Sequence, residues 1–233
     1  MKTVKLVSVG LLTVLAALSL AQGANLKRVA KVGDVTKFKI KADIEIQGMQ
    51  AAFTSTMIEK VLKIEDNGNI HTESSQTDTK IKIGADEMDA GNDGGGAQTT
   101  ISTPWGEVIE LKGDMVDANA YRVANMNAIR VPDKVLNVGD TWENITKADK
   151  KLGTVSATAK FKVEKAEKIG SFDTLCISYD FKESEGSDPA GSTGKVWIST
   201  ADGSMVKLVG EWKNAPLPGA PGPISAKVTI DRI

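Results

Sequence analysis

The sequence predicts a mainly β protein, a duplicated antiparallel β unit forming a curved sheet or half-barrel with one crossing helix. Three observations carry this expectation. Apolar and polar residues alternate with period two in segment after segment, the pattern of strands with one buried face. Two short motifs occur twice, in the same order. Helical spacing is convincing at one place only beyond the N-terminal segment.

The first segment, residues 1–24, is expected to be a secretory signal peptide rather than part of the fold. Lys2 and Lys5 precede an apolar and small-residue run from Leu6 to Ala21, and Ser19-Leu20-Ala21 and Gln22-Gly23-Ala24 offer small-residue cleavage sites. The run is shorter than the ~20 residues a membrane-spanning helix needs. The single cysteine of the chain, Cys176, is far from this junction, so the usual lipid attachment there lacks its thiol. The mature chain, 25–233, is therefore expected to be exported, periplasmic or extracellular, and without a transmembrane segment.

The first strand is read at Phe38, Ile40, Ala42, Ile44 and Ile46, which alternate with Lys37, Lys39, Lys41, Asp43 and Glu45. A second runs from Phe53 to Glu65 and ends at Asp66-Asn67-Gly68-Asn69, whose Asn-Gly pair suits a tight turn. The chain then returns through Ile70 to Ile83. Val155, Ala157, Ala159, Phe161 and Val163 form another apolar stripe, as do Leu175, Ile177, Tyr179 and Phe181.

Repetition organises these strands. Ile101–Gly113 matches Ile198–Gly210 at six identities, each read as a hairpin turning at its central glycine. Upstream, Val32-Gly33-Asp34-Val35 is echoed by Val138-Gly139-Asp140-Thr141. Two repeats, 30–113 and 136–213, are expected within one domain. Between them Val116, Ala120, Val123 and Ala124 stand at helical spacing, which predicts a linking helix over Asp114–Ile129, closed by Val131-Pro132. Pro216, Pro218, Pro221 and Pro223, with Gly219 and Gly222, mark an irregular connector to a last strand at 224–233.

The chemical inventory excludes more than it offers. Twenty-nine basic residues balance 30 acidic ones, so there is no basic field to hold nucleic acid. One His and one Cys rule out most metal cages and His-based relays. His71 reads as a solvated surface imidazole and Cys176 as a small residue filling a strand position. No nucleophile elbow or phosphate loop is present, since Gly94-Gly95-Gly96 runs on into Ala97-Gln98. The expectation is a protein that is not an enzyme and carries no cofactor. Asp86, Asp89 and Asp93 offer hard oxygen ligands for calcium, but their spacing fits no standard calcium loop, and the Gly- and Asp-rich stretch reads first as a disordered loop tip. Trp105, Trp142, Trp197 and Trp212 supply either core packing or a recognition surface.

The leader, the doubled Gly-Asp strand starts and the long amphipathic hairpins together resemble the periplasmic lipoprotein-carrier superfamily, whose curved half-barrels wrap around helices. That resemblance implies an apolar or lipidic ligand held on the concave face. Strand parity then nominates Phe38, Ile40, Ile44, Phe161, Val163, Ile177, Tyr179 and Phe181 as the lining, with the helix closing over them. The alternative is a structural or interaction module of the cell envelope whose core is filled by its own side chains, its protein partner left open.

Overall fold

The computed structural model describes residues 23–46, 48–91, 96–218, 220 and 222–233. The expected leader lies outside these, apart from Gly23 and Ala24. In chain order the first strands are Ala24–Asn25 (β1), Val35–Ile46 (β2), Met49–Ile64 (β3), Ile70–Ile83 (β4), Asp86–Gly91 (β5), Gln98–Ser102 (β6) and Val108–Lys112 (β7). One helix, Ala118–Asn127 (α1), follows. The remaining strands are Val135–Leu136 (β8), Thr141–Thr146 (β9), Ala157–Ile169 (β10), Phe172–Glu183 (β11), Gly191–Ser199 (β12), Met205–Ala215 (β13) and Ile224–Arg232 (β14).

Twelve strands form one antiparallel curved sheet that does not close, in the order β7-β6-β4-β3-β2-β14-β13-β12-β11-β10-β9, with β5 added beside β4. The C-terminal strand β14 thus sits between two five-strand meanders, pairing β2 on one side and β13 on the other. The residues after the proline-rich connector therefore join the two halves of the sheet.

The two Val-Gly-Asp corners are built alike. Gly33 N donates to Val61 O and Val61 N to Asp34 O at 2.8 and 2.9 Å; Gly139 N donates to Val163 O and Val163 N to Asp140 O at the same distances. In each, the Asp carboxylate accepts from the backbone N–H three residues earlier, Lys31 or Asn137. Gly33 and Gly139 stand at φ +91° and +95°, a region that costs a side chain energy and glycine nothing. Each corner is followed by a bulge at the same place, between Val61 and Lys63 in β3 and between Val163 and Lys165 in β10. These landmarks align the halves residue by residue.

The concave face carries the core. Val163, Ile177 and Val196 are fully buried, and Phe161, Tyr179 and Phe181 pack beside them at 3–5% exposure. Tyr179 lies over Gly194 and Gly210, whose missing side chains make its room: a Cβ at either position would collide with its hydroxyl. Trp142 stacks on Phe161, ring centroids 5.0 Å apart, and its indole N–H donates to Arg130 O.

Three local expectations are corrected. The helix begins at Ala118, not Asp114, because Asp117 is extended and caps it, its Oδ1 accepting from Ala120 N at 2.8 Å. It ends at Asn127 because Ala128 is again extended. The acidic segment Asp86–Gly91 is a strand rather than a loop tip: Gly84 at φ +60° turns the chain back, and Lys80 pairs with Glu87 across the ladder at 3.0 Å. His71 is half-buried rather than solvated, its Nε2 2.9 Å from Glu65 Oε1, and that hydrogen bond holds the Glu65 carboxyl below its usual range.

The helix is pinned across the concave side. Met126 enters the core, and Arg122 forms a two-pronged ion pair with Glu183 at the end of β11, at 2.8 and 2.6 Å. Glu183 Oε2 also accepts from Ala190 N, so the buried carboxylate is fully occupied. The pair raises the affinity of the Arg122 guanidinium for its proton.

Candidate functional site

The eight residues nominated from strand parity separate into two groups. Phe161, Val163, Ile177, Tyr179 and Phe181 are packed against one another and their neighbours in the second meander. Phe38 is buried on β2, whereas Ile40 and Ile44 are half-buried there, Ile44 against the main core. The cleft that lies under the helix is lined by none of the eight.

That cleft, of about 540 Å³, opens on the first meander. Its floor is Phe53 of β3, Gln76 of β4, Thr100 of β6 and Leu111 of β7, and its roof is Val116, Ala120, Val123 and Ala124. Leu217 closes one flank, brought there by the connector. Ala120, Val123 and Ala124 share one side of α1 because they recur at three- and four-residue spacing, and Val116 joins them from just before the helix cap. Tyr121 on the same helix accepts from Leu111 N of the edge strand β7 at 3.1 Å, which fixes the lid against the rim. The volume lies within the ~300–1,000 Å³ typical of small-molecule sites.

A second, smaller cavity of about 250 Å³ adjoins it, with Thr100 common to both. Glu59, Thr72, Ser74 and Ser102 face it from the sheet, and Trp105 and Ile198 form other walls. The irregular segment after β1 helps to close it: Arg28 N donates to Pro104 O and Val29 N to Asp202 O, both at 2.8 Å, which ties the β6–β7 turn to the β12–β13 turn. Gly203 permits this crossing, since a side chain there would strike the Leu26 and Lys27 carbonyls. Glu59 makes no hydrogen bond or ion pair among the described residues. Its carboxyl is sunk in protein, and this burial raises its pKa against the weaker opposing pull of Arg28. Arg28 is itself 3.7 Å from Asp202.

Sequence parity could have found Glu59. It shares its side of β3 with Phe53, Met57 and Val61, so it is a charged residue on an apolar stripe. The cleft's roof was legible as the helix's apolar side, whereas Leu217 gives no signal inside a proline-rich connector.

The candidate calcium ligands are not brought together. Asp86 and Asp89 are both exposed on β5 and three residues apart, which sends them to opposite faces of the strand; Asp93 lies outside the described residues. Asp89 Oδ1 accepts from Gly91 N. Among the described residues no group of three His, Cys, Asp or Glu side chains could hold a metal ion. Cys176 is buried on the opposite face from Ile177, and burial pushes its thiol pKa up, which disfavours the reactive thiolate. Trp197, on that face, donates to Glu167 at 2.6 Å. No helix among the described residues is long and apolar enough to cross a membrane.

The chain matches no protein-family model and no curated protein. Solved structures similar to it include the hypothetical lipoprotein YmcC of Escherichia coli K12, at 10% identity and a TM-score of 0.31, covering 87% of this chain and 89% of that one. An exported protein with a YmcC-like fold from Bacteroides fragilis shares 13% identity at a TM-score of 0.36, with coverage of 89% and 97%. A DUF1329 family protein from Desulfovibrio piger shares 8% at a TM-score of 0.24, with coverage of 87% and 85%. None of these three descriptions names the lipoprotein-carrier superfamily.

Proposed function

We propose that the protein is an exported, non-enzymatic component of a bacterial cell envelope that takes an apolar chain into the cleft beneath α1. The leader-like N-terminus supports export. The observation that carries the ligand is the cleft itself: about 540 Å³ of room between Phe53, Leu111 and Leu217 and the apolar side of the helix. The cleft is half-open to solvent and of a size that suits a small apolar ligand. Native mass spectrometry of protein purified from its own envelope, without delipidation, tests the reading. A bound lipid mass is expected, together with uptake of a fluorescent fatty acid that is lost in Val123→Trp, where the indole fills the roof.

A structural or interaction module is the second reading, favoured by the second meander, where Phe161, Tyr179 and Phe181 leave no room. The bare protein mass with no fatty-acid uptake would establish it in place of the first.

A further inference from the structure

We propose that the smaller, hydroxyl-lined cavity is a site for a primary ammonium group, with Glu59 as its anion. The chain attached to that ammonium would run through the shared boundary at Thr100 into the apolar cleft, and to that extent the inference rests on the reading above.

The alignment of the two halves carries the argument. Val61 and Val163 occupy the same place beside the two corners, and counting from them along the ladders puts Glu59 where the other half has Phe161. Across the next ladder Ser74 pairs with Glu59 as Tyr179 pairs with Phe161, and Thr72 pairs with Val61 as Ile177 pairs with Val163. One strand further, Thr100 stands opposite Thr72 as Val196 stands opposite Ile177, and Ser102 stands opposite Ile70 as Ile198 stands opposite Leu175. Five positions that form a dry core in one meander are thus a carboxyl and four hydroxyls in the other. These five side chains are half-buried at the cavity wall, where they bury less apolar surface than their counterparts in the other half and present polar atoms to a ligand.

The chemistry of the set selects the guest. Glu59 offers acceptor oxygens and has no donor, and burial without a partner raises its pKa. A cationic donor relieves that penalty more than a neutral one, since it supplies charge as well as a hydrogen bond. Thr72, Ser74 and Thr100 offer hydroxyl lone pairs for the other N–H groups of an ammonium. Arg28, the cation whose charge opposes the shift at Glu59, is engaged with Asp202. The space, about 250 Å³, is ample for an aminoethyl group.

Calorimetric titration of the mature chain with dihexanoyl phosphatidylethanolamine, dihexanoyl phosphatidylglycerol and free ethanolamine tests this, on the native protein and on Glu59→Gln. The amine lipid is expected to bind at least about tenfold tighter than the glycerol lipid, the gain of one charge-assisted contact, and Glu59→Gln should erase the difference. Because a folding defect could mimic that loss, the Glu59 carboxyl of the native protein is also followed by carbon NMR, and its pKa should fall when ethanolamine is added. Equal binding of both lipids with no effect of Glu59→Gln overturns the ammonium site and leaves the apolar cleft standing. Preference for the glycerol lipid overturns it in favour of a neutral polyol. Glu59-dependent binding of ethanolamine with no binding of either lipid keeps the ammonium site and removes the apolar-ligand reading.

Discussion

The two meanders share corners, bulges and register, yet one is filled and the other hollow. In the second, Phe161, Ile177, Tyr179 and Val196 meet on the concave face at 0–5% exposure. In the first, the matching positions are Glu59, Thr72, Ser74 and Thr100, and nearby Ser55 and Thr79 hydrogen-bond each other at 3.0 Å where a core would place hydrocarbon. The backbone plan therefore does not decide whether a half-barrel is packed or open; side-chain volume and polarity at a handful of inward positions do. The helix and the connector follow that division, since α1 seats Met126 in the filled half and spans the hollow one with Ala120, Val123 and Ala124.

The largest expected effect breaks the filled half. Phe161→Ala removes a buried ring stacked on Trp142 and should cost ~3–5 kcal/mol in urea unfolding. Glu59→Ala, at the matching position, should cost far less, and equal losses at the two sites would erase the contrast between the halves. Next is the clasp between them. Arg122→Ala strands Glu183, which is 7% exposed, and should destabilise by about 3 kcal/mol or more while loosening the lid. Hydrogen exchange of α1 should quicken in that variant beyond the change in global stability. A smaller loss, ~1–3 kcal/mol, is expected for Gly210→Ala, where the new methyl meets the Tyr179 hydroxyl; relief in Gly210→Ala/Tyr179→Phe would show that the collision is the cause.

The filled half was more legible in the sequence than the hollow one, for a physical reason. Period-two alternation reports which residues turn inward, and at Phe161, Val163, Ile177 and Tyr179 inward and apolar coincide. It does not report whether inward residues meet each other or leave a gap, because that depends on the curvature of the sheet and on what the connector delivers. Leu217 is the plain case: it sits in a proline-rich run without periodicity, yet it flanks the cleft. The doubled Val-Gly-Asp motif was readable because the corner needs a residue that tolerates positive φ followed by a carboxylate that reaches back three residues. Asp86–Gly91 was misread because its composition suits a loop, while its pairing to β4 comes from the Gly84 turn and the Lys80–Glu87 contact.

The subtlest expected effect sharpens the contrast at Glu59 through pH. Burial raises the pKa of this carboxyl above that of the unfolded chain, with Arg28 as the charged group that opposes the shift and only hydroxyls facing it from β4 and β6. A raised carboxyl pKa means that the folded state holds the proton more tightly, so the group's contribution is fully present below its unfolded pKa and is lost as pH rises through the folded value. Native protein should therefore lose stability relative to Glu59→Gln as pH is raised from about 4 towards neutrality, since Gln keeps the shape and never ionises. The two unfolding curves, measured in urea at a series of pH values, should lie parallel in acid and diverge above it, with Glu59→Gln the more stable. Addition of ethanolamine should close the gap by stabilising only the native protein. Curves that stay parallel across the whole range would mean that Glu59 is as well solvated as a surface carboxylate, and the hollow half would then be an open groove with no sunken charge.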